Sequence, residues 1–239
     1  MRVVQLVRML AAGALLATGV LHAAPNAAPV RAAGITTTII DWVPFVRFGG
    51  ITYLQAPTAG RPLGAADLGQ RFSIVRFKVA GVVHDPAYHI KDGDAAFLPI
   101  GTPVYRVKNY APTFRLAARV GARIVLFEAD TDPLAHSGGD LLDIGGKVRA
   151  IGINSAKDGT TRLATITDPR IVARLVGVVL HGPVDQARTE STSAKYFITF
   201  LLRDGTVITR AYWLASGQLA RGIMTPPAFR AAVDRALKR

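Results

Sequence analysis

The chain contains no cysteine. That excludes a disulfide, a thiolate zinc site, a cysteine nucleophile and a lipid-bearing cysteine, so packing alone must hold the fold. Acidic residues are scarce beside basic ones, 16 Asp and Glu against 29 Lys and Arg, and the formal net charge is +13. Gly-x-Ser-x-Gly, His-Glu-x-x-His, the phosphate loop ending in Gly-Lys-Ser/Thr and Gly-x-Gly-x-x-Gly are all missing. The familiar hydrolase and nucleotide-binding classes lose their support with them. Beyond Leu21 no apolar run approaches the roughly 20 residues that a membrane-spanning helix needs. No block of five or six like charges occurs either, so the basic residues are scattered rather than gathered in a tail.

What is present is ample apolar material: half of the 239 residues are hydrophobic and 19% are charged, enough for one or two compact cores. The N-terminus places Arg2 and Arg8 ahead of an apolar run from Met9 to Leu21, followed by an alanine-rich stretch with Pro25, Pro29 and Arg31. This is the anatomy of a signal peptide, assigned to residues 1–32, with cleavage after Ala32 favoured over Ala23. A single uncleaved anchor is the competing reading, and the run is short for it. Removing residues 1–32 takes away Arg2, Arg8 and Arg31 and no acid, lowering the charge by three to +10. The expected location is therefore secreted or at the cell envelope, with no membrane span after signal cleavage. A field of this sign concentrates polyanions, so the expected partners are an anionic envelope polymer or another exported protein. Export argues against nucleic acid as partner.

Periodicity divides the remainder. Residues 33–130 read as a β-rich domain: Ile35 to Phe48, Ile51 to Leu54 after the Gly49-Gly50 turn, Gln70 to Val83, and a hairpin of Phe114 to Val120 and Ile124 to Ala129 about Gly121. Residues 131–146 are dense in Asp and Gly and read as a linker or exposed loop. Residues 147–239 read as an α+β domain. Its strands are Lys147 to Asn154, Thr161 to Thr167, Lys195 to Leu202 and Thr206 to Leu214. Its first helix is capped by Asp168 with Pro169 at the first position, and its second by Thr225 with Pro226. The fold class expected is α+β: an N-terminal all-β domain, then a C-terminal antiparallel sheet covered by two helices.

Candidate chemistry is thin. His84, Asp85 and His89 share one loop, but Pro86 breaks any regular spacing and no third ligand is evident, so no metal site is assigned. Asp92-Gly93-Asp94 resembles the opening of a calcium loop without its later ligands, and a turn closed by Asp side chains is the better reading. Asp130, Asp132, Asp140 and Asp143 read as a solvated loop, and Glu128 with Asp130 shows no cleft for acid–base work. Arg71, Arg76, Lys78, Arg106, Lys108, Arg115, Arg119 and Arg123 lie on several strands of the β-rich half. If they share a sheet face they form an anion-binding surface. Trp213 reads as a core residue before a sugar-stacking one. No cofactor and no catalytic residue is assigned.

Leu98 to Tyr105 and Tyr110 to Ala117, with their Leu-Pro-x-Gly-Thr-x-x-Tyr and Tyr-x-Pro-x-Phe-Arg-Leu-Ala patterns, resemble uncharacterised exported bacterial proteins. The region Val148 to Leu237, with its Tyr-Phe-Ile-x-Phe strand, Asp-Gly turn, Tyr-Trp-Leu and closing helix, is similar to the C-terminal part of YhfM-like bacterial lipoproteins, without the lipid-bearing cysteine. Neither resemblance carries an activity. The functional expectation is a non-catalytic binding or interaction module of the envelope. The alternatives are a secreted hydrolase without a recognisable motif and a regulator of another exported protein.

Overall fold

The structure is a computed structural model that describes residues 40–57, 59–188 and 195–238. The proposed signal segment lies outside the described residues, as does the part of the first expected strand before Ile40.

The β-rich half forms eight strands: β1 (Phe45–Phe48), β2 (Ile51–Gln55), β3 (Leu68–Ile74), β4 (Phe77–Lys78), β5 (Asp94–Ala95), β6 (Pro103–Val107), β7 (Arg115–Val120) and β8 (Arg123–Thr131). They make one sheet in the order β3-β6-β7-β8-β2-β1-β5-β4. Every pairing is antiparallel except β4 with β5. The two edge strands, β3 and β4, are separated in sequence by only Val75 and Arg76, so the curled sheet closes on itself through one chain segment. Alternate residues point inward, and Val46, Phe48, Tyr53, Val75, Leu116 and Phe127 fill the interior. A small apolar cluster of Trp42, Phe45, Val79 and Ala96 lies outside the barrel, where the partly buried Tyr88 and Ile90 pack against it.

The second half forms β9 (Val148–Ser155), β10 (Arg162–Ile166), β11 (Tyr196–Leu202), β12 (Val207–Trp213), β13 (Gln218–Leu219) and β14 (Ile223–Met224). These order as β10-β9-β11-β12-β13-β14, all antiparallel. Helices α2 (Pro169–Leu180) and α3 (Pro227–Leu237) bring Val172, Leu175, Val179, Phe229 and Val233 into one core with Ile151, Ile153, Ile198, Phe200 and Ile208 of the sheet. The protein is thus mixed α+β and mostly β, as the sequence leads one to expect.

Local details follow the chemistry. The Asp168 carboxylate accepts from the Arg170 and Ile171 amides at 2.9 and 3.0 Å and caps α2. The expected cap of α3 is corrected: Pro226 is its N-cap and Pro227 the first helical residue, because the Thr225 hydroxyl donates to Gly217 O at 2.6 Å instead. The stretch 131–146 is likewise not an exposed loop. It holds the short helix α1 (Gly138–Leu141) and buries Ala135, Leu141, Leu142 and Ile144 in the second core. Hydrophobic residues embedded among Asp and Gly supply that anchoring, which composition alone conceals.

Candidate functional site: exposed cations and a buried ion network

Seven of the eight cations expected on an anion-binding surface, Arg71, Arg76, Lys78, Arg106, Lys108, Arg119 and Arg123, are exposed. None forms a salt bridge among the described residues. They do not share one sheet face. Register places Arg71 opposite Tyr105 and Tyr105 opposite Ala117, which puts Arg71 and Arg119 on the outer face. Arg106 pairs with Leu116 and Arg123 with Val120, on the side that faces inward along the strands and opens at the barrel ends. Arg106 lies over the Phe72 ring, 5.8 Å from its centroid. Arg76 lays its aliphatic stem against Gly93 on the other side of the closure.

Arg115 departs from the expectation. It is fully buried and cannot serve a surface. Its guanidinium donates to Glu128 Oε1 through Nη2 at 2.7 Å and Nε at 3.2 Å, and through Nη1 to the Thr206 hydroxyl at 3.0 Å. It also stacks on the rings of Tyr110 and Phe114, at 4.6 and 5.0 Å. Glu128 Oε2 accepts from Arg210 Nη2 at 2.9 Å, so one carboxylate of the barrel joins an arginine from each half. Burial alone would push the Glu128 carboxyl up, but the Arg210 and Arg115 guanidiniums outweigh it and hold the group below the ordinary glutamate range. Both of its oxygens are occupied, so it has no role left as a general base.

Two residues along β8 the pattern repeats. Asp130 pairs with Arg221 of the turn between β13 and β14, and burial brings the Arg221 guanidinium down to about 10. At Asp132 the backbone N–H donates to Gln186 Oε1 at 3.1 Å, and the Gln186 amide donates back to Asp132 O. Glu128 and Asp130 on β8, and Asp132 just past its end, each meet a partner from the second half: Arg210, Arg221 and Gln186. At the far end of the seam, Tyr110 donates its hydroxyl proton to Asp204 at 2.7 Å, and burial together with that carboxylate pushes the phenol up to about 12. Arg61 donates to Asp204 O at 2.7 Å, and Gly60 pairs with Thr206. Gly60 has φ +70°, and a Cβ there would stand 2.6 Å from Gly205 O, so only glycine fits. The two halves are thus locked by a polar seam rather than joined by a flexible tether.

The other candidates are spent on structure. Asp94 accepts from the Lys91 amide at 2.7 Å and from the Tyr88 hydroxyl at 2.8 Å, closing its turn as expected. Asp140 caps α1 by accepting from the His136 and Ser137 amides, while Asp143 takes the Ala111 amide and pairs with Lys147. His84, His89, His136 and His181 are exposed. Among the described residues no three His, Asp or Glu side chains converge as metal ligands. Trp213 is half-buried.

The pairing partners Arg210, Arg221 and Thr206 escaped the sequence reading. One signal was there: a charged residue at every second position of an otherwise apolar strand, as in Leu126-Phe127-Glu128-Ala129-Asp130, marks acids that face another layer. Comparison with family models, curated proteins and solved structures returns no match.

Proposed function

We propose that the protein is a non-catalytic binding module of the cell exterior, held together by the buried seam and engaging an anionic envelope component through the exposed cations of its barrel. The observation that carries this reading is the fate of the basic residues. Seven of the eight barrel cations stand in solvent and form no salt bridge among the described residues, while the eighth is consumed in the fold. Unpaired exposed cations keep their field for a ligand, and a salt-bridged surface would not. The N-terminal 32 residues, with the composition of a cleaved export signal, support the location.

The test is retention of the full chain on immobilised dextran sulfate across a salt gradient. Contacts between exposed charges fade as the screening length shortens from about 10 Å at 0.1 M salt to about 3 Å at 1 M. Strong retention at low salt that collapses over this range is the expected result. Absence of retention at low salt, or retention indifferent to salt, overturns the reading.

A further inference from the structure

Eight large apolar side chains are exposed among the described residues, and four of them, Ile74, Phe97, Ile100 and Val120, fall on three segments that converge at one rim of the barrel. The convergence is fixed by the backbone. Ile74 pairs with Pro103, and the Val75 amide donates to Thr102 O at 3.0 Å while Gly101 N–H donates to Val75 O at 2.8 Å. On the other side Val104 pairs with Ala118, next to Arg119, and Val120 pairs with Arg123 across the hairpin tip. Phe97 and Ile100 ride on the intervening loop, where Thr102 closes the turn onto Pro99 O. Ile100 is 66% exposed and Phe97 50%, and with Ile74 and Val120 they gather apolar surface at this rim.

The charges on the same segments are all of one sign. Residues 72–79, 95–103 and 117–125 contain Arg76, Lys78, Arg119 and Arg123 and not a single Asp or Glu. Apolar side chains at the tip of a rigid barrel, flanked by unpaired arginines, match a surface that is anionic at headgroup level and apolar just beneath it. A soluble sulfated or phosphorylated polymer satisfies the arginines but gives Phe97 and Ile100 nothing to bury in. The geometry points to this rim as a peripheral docking site for an anionic lipid bilayer, with Arg119 and Arg123 on the headgroups and Phe97, Ile100 and Val120 inserted at the interface. The inference rests on the proposed anion-binding role and specifies its target as lipid.

The test is co-flotation of the full chain with vesicles of phosphatidylcholine containing phosphatidylglycerol, against vesicles of phosphatidylcholine alone, with dextran sulfate retention measured in parallel. Binding to the anionic vesicles only is expected. Phe97→Ser/Ile100→Ser, which removes exposed side chains and leaves the folded core intact, should weaken vesicle binding by roughly tenfold and leave polymer retention unchanged. Arg119→Gln/Arg123→Gln should weaken vesicle binding by about 25-fold, at about fivefold per basic residue near an anionic surface. Polymer retention without vesicle binding overturns the lipid assignment while sparing the wider anion-binding role. Vesicle binding that is unaffected by Phe97→Ser/Ile100→Ser overturns the assignment of this rim. Loss of both polymer and vesicle binding in the unaltered chain overturns the anion-binding role itself.

Discussion

Replacing Glu128 by Gln keeps the shape of the side chain and removes one buried negative charge from between two buried arginines. The guanidiniums of Arg115 and Arg210 then lose the carboxylate they share, and neither can reach water. Breaking a buried ion pair by removing one partner costs about 3–5 kcal/mol, because it leaves uncompensated buried charge. For a chain of this size that corresponds to a fall in melting temperature of about 6–20 °C. The assay is urea unfolding followed by tryptophan fluorescence, with an unchanged slope required so that the midpoint shift reads as stability. A second variant, Arg115→Met/Glu128→Leu/Arg210→Met, separates charge from packing. Exchanging a whole buried ion network for apolar residues is often neutral or stabilising, so most of the single-variant loss should be recovered. A Glu128→Gln variant within about 1 kcal/mol of the parent would refute the claim that this carboxylate neutralises the seam.

Gly60→Ala should cost about 2 kcal/mol or more, from left-handed backbone and the approach of Gly205 O, and thermal unfolding of the variant reads it directly. Asp168→Ala removes the acceptor for two amides at the start of α2 and should cost about 1 kcal/mol by the same measurement. Acid should destabilise in a defined direction. Glu128, Asp67, Asp140 and Asp204 are held below their ordinary values in the folded chain, so the unfolded chain takes up protons first as the pH falls through about 4. Stability is therefore complete above that point and declines as the pH drops toward the folded values; a melting temperature flat from neutral pH to pH 3 would contradict this.

Periodicity made the secondary elements readable wherever one face of a strand or helix was buried. The hairpin of β7 and β8 about Gly121 and the pair β11 and β12 fall within two residues of where alternation places them. The short β5, β13 and β14, two residues each, are too brief to carry a period, and α1 is hidden among Gly and Asp. The α3 cap was displaced by one residue because consecutive prolines at 226 and 227 offer two equivalent starts, and the Thr225 hydroxyl chose a carbonyl eight residues back. The charge pattern of the barrel was legible as an inventory and not as a surface. Arg115 and Arg119 both point outward from β7, yet the second half covers only Arg115, and strand parity holds no information about what lies above the sheet. The seam joins residues far apart in sequence, 91 positions between Arg115 and Thr206 and 143 between Arg61 and Asp204, which local periodicity cannot connect.

The central claim is that the exposed barrel cations, and not the buried one, confer affinity for polyanions. Titration calorimetry with soluble dextran sulfate at low salt tests it on a variant in which Arg71, Arg76, Lys78, Arg106, Lys108, Arg119 and Arg123 are all changed to Gln. The account predicts that this variant keeps the parent's melting temperature within a few degrees and loses measurable binding; parental affinity in a folded, neutralised barrel would contradict it.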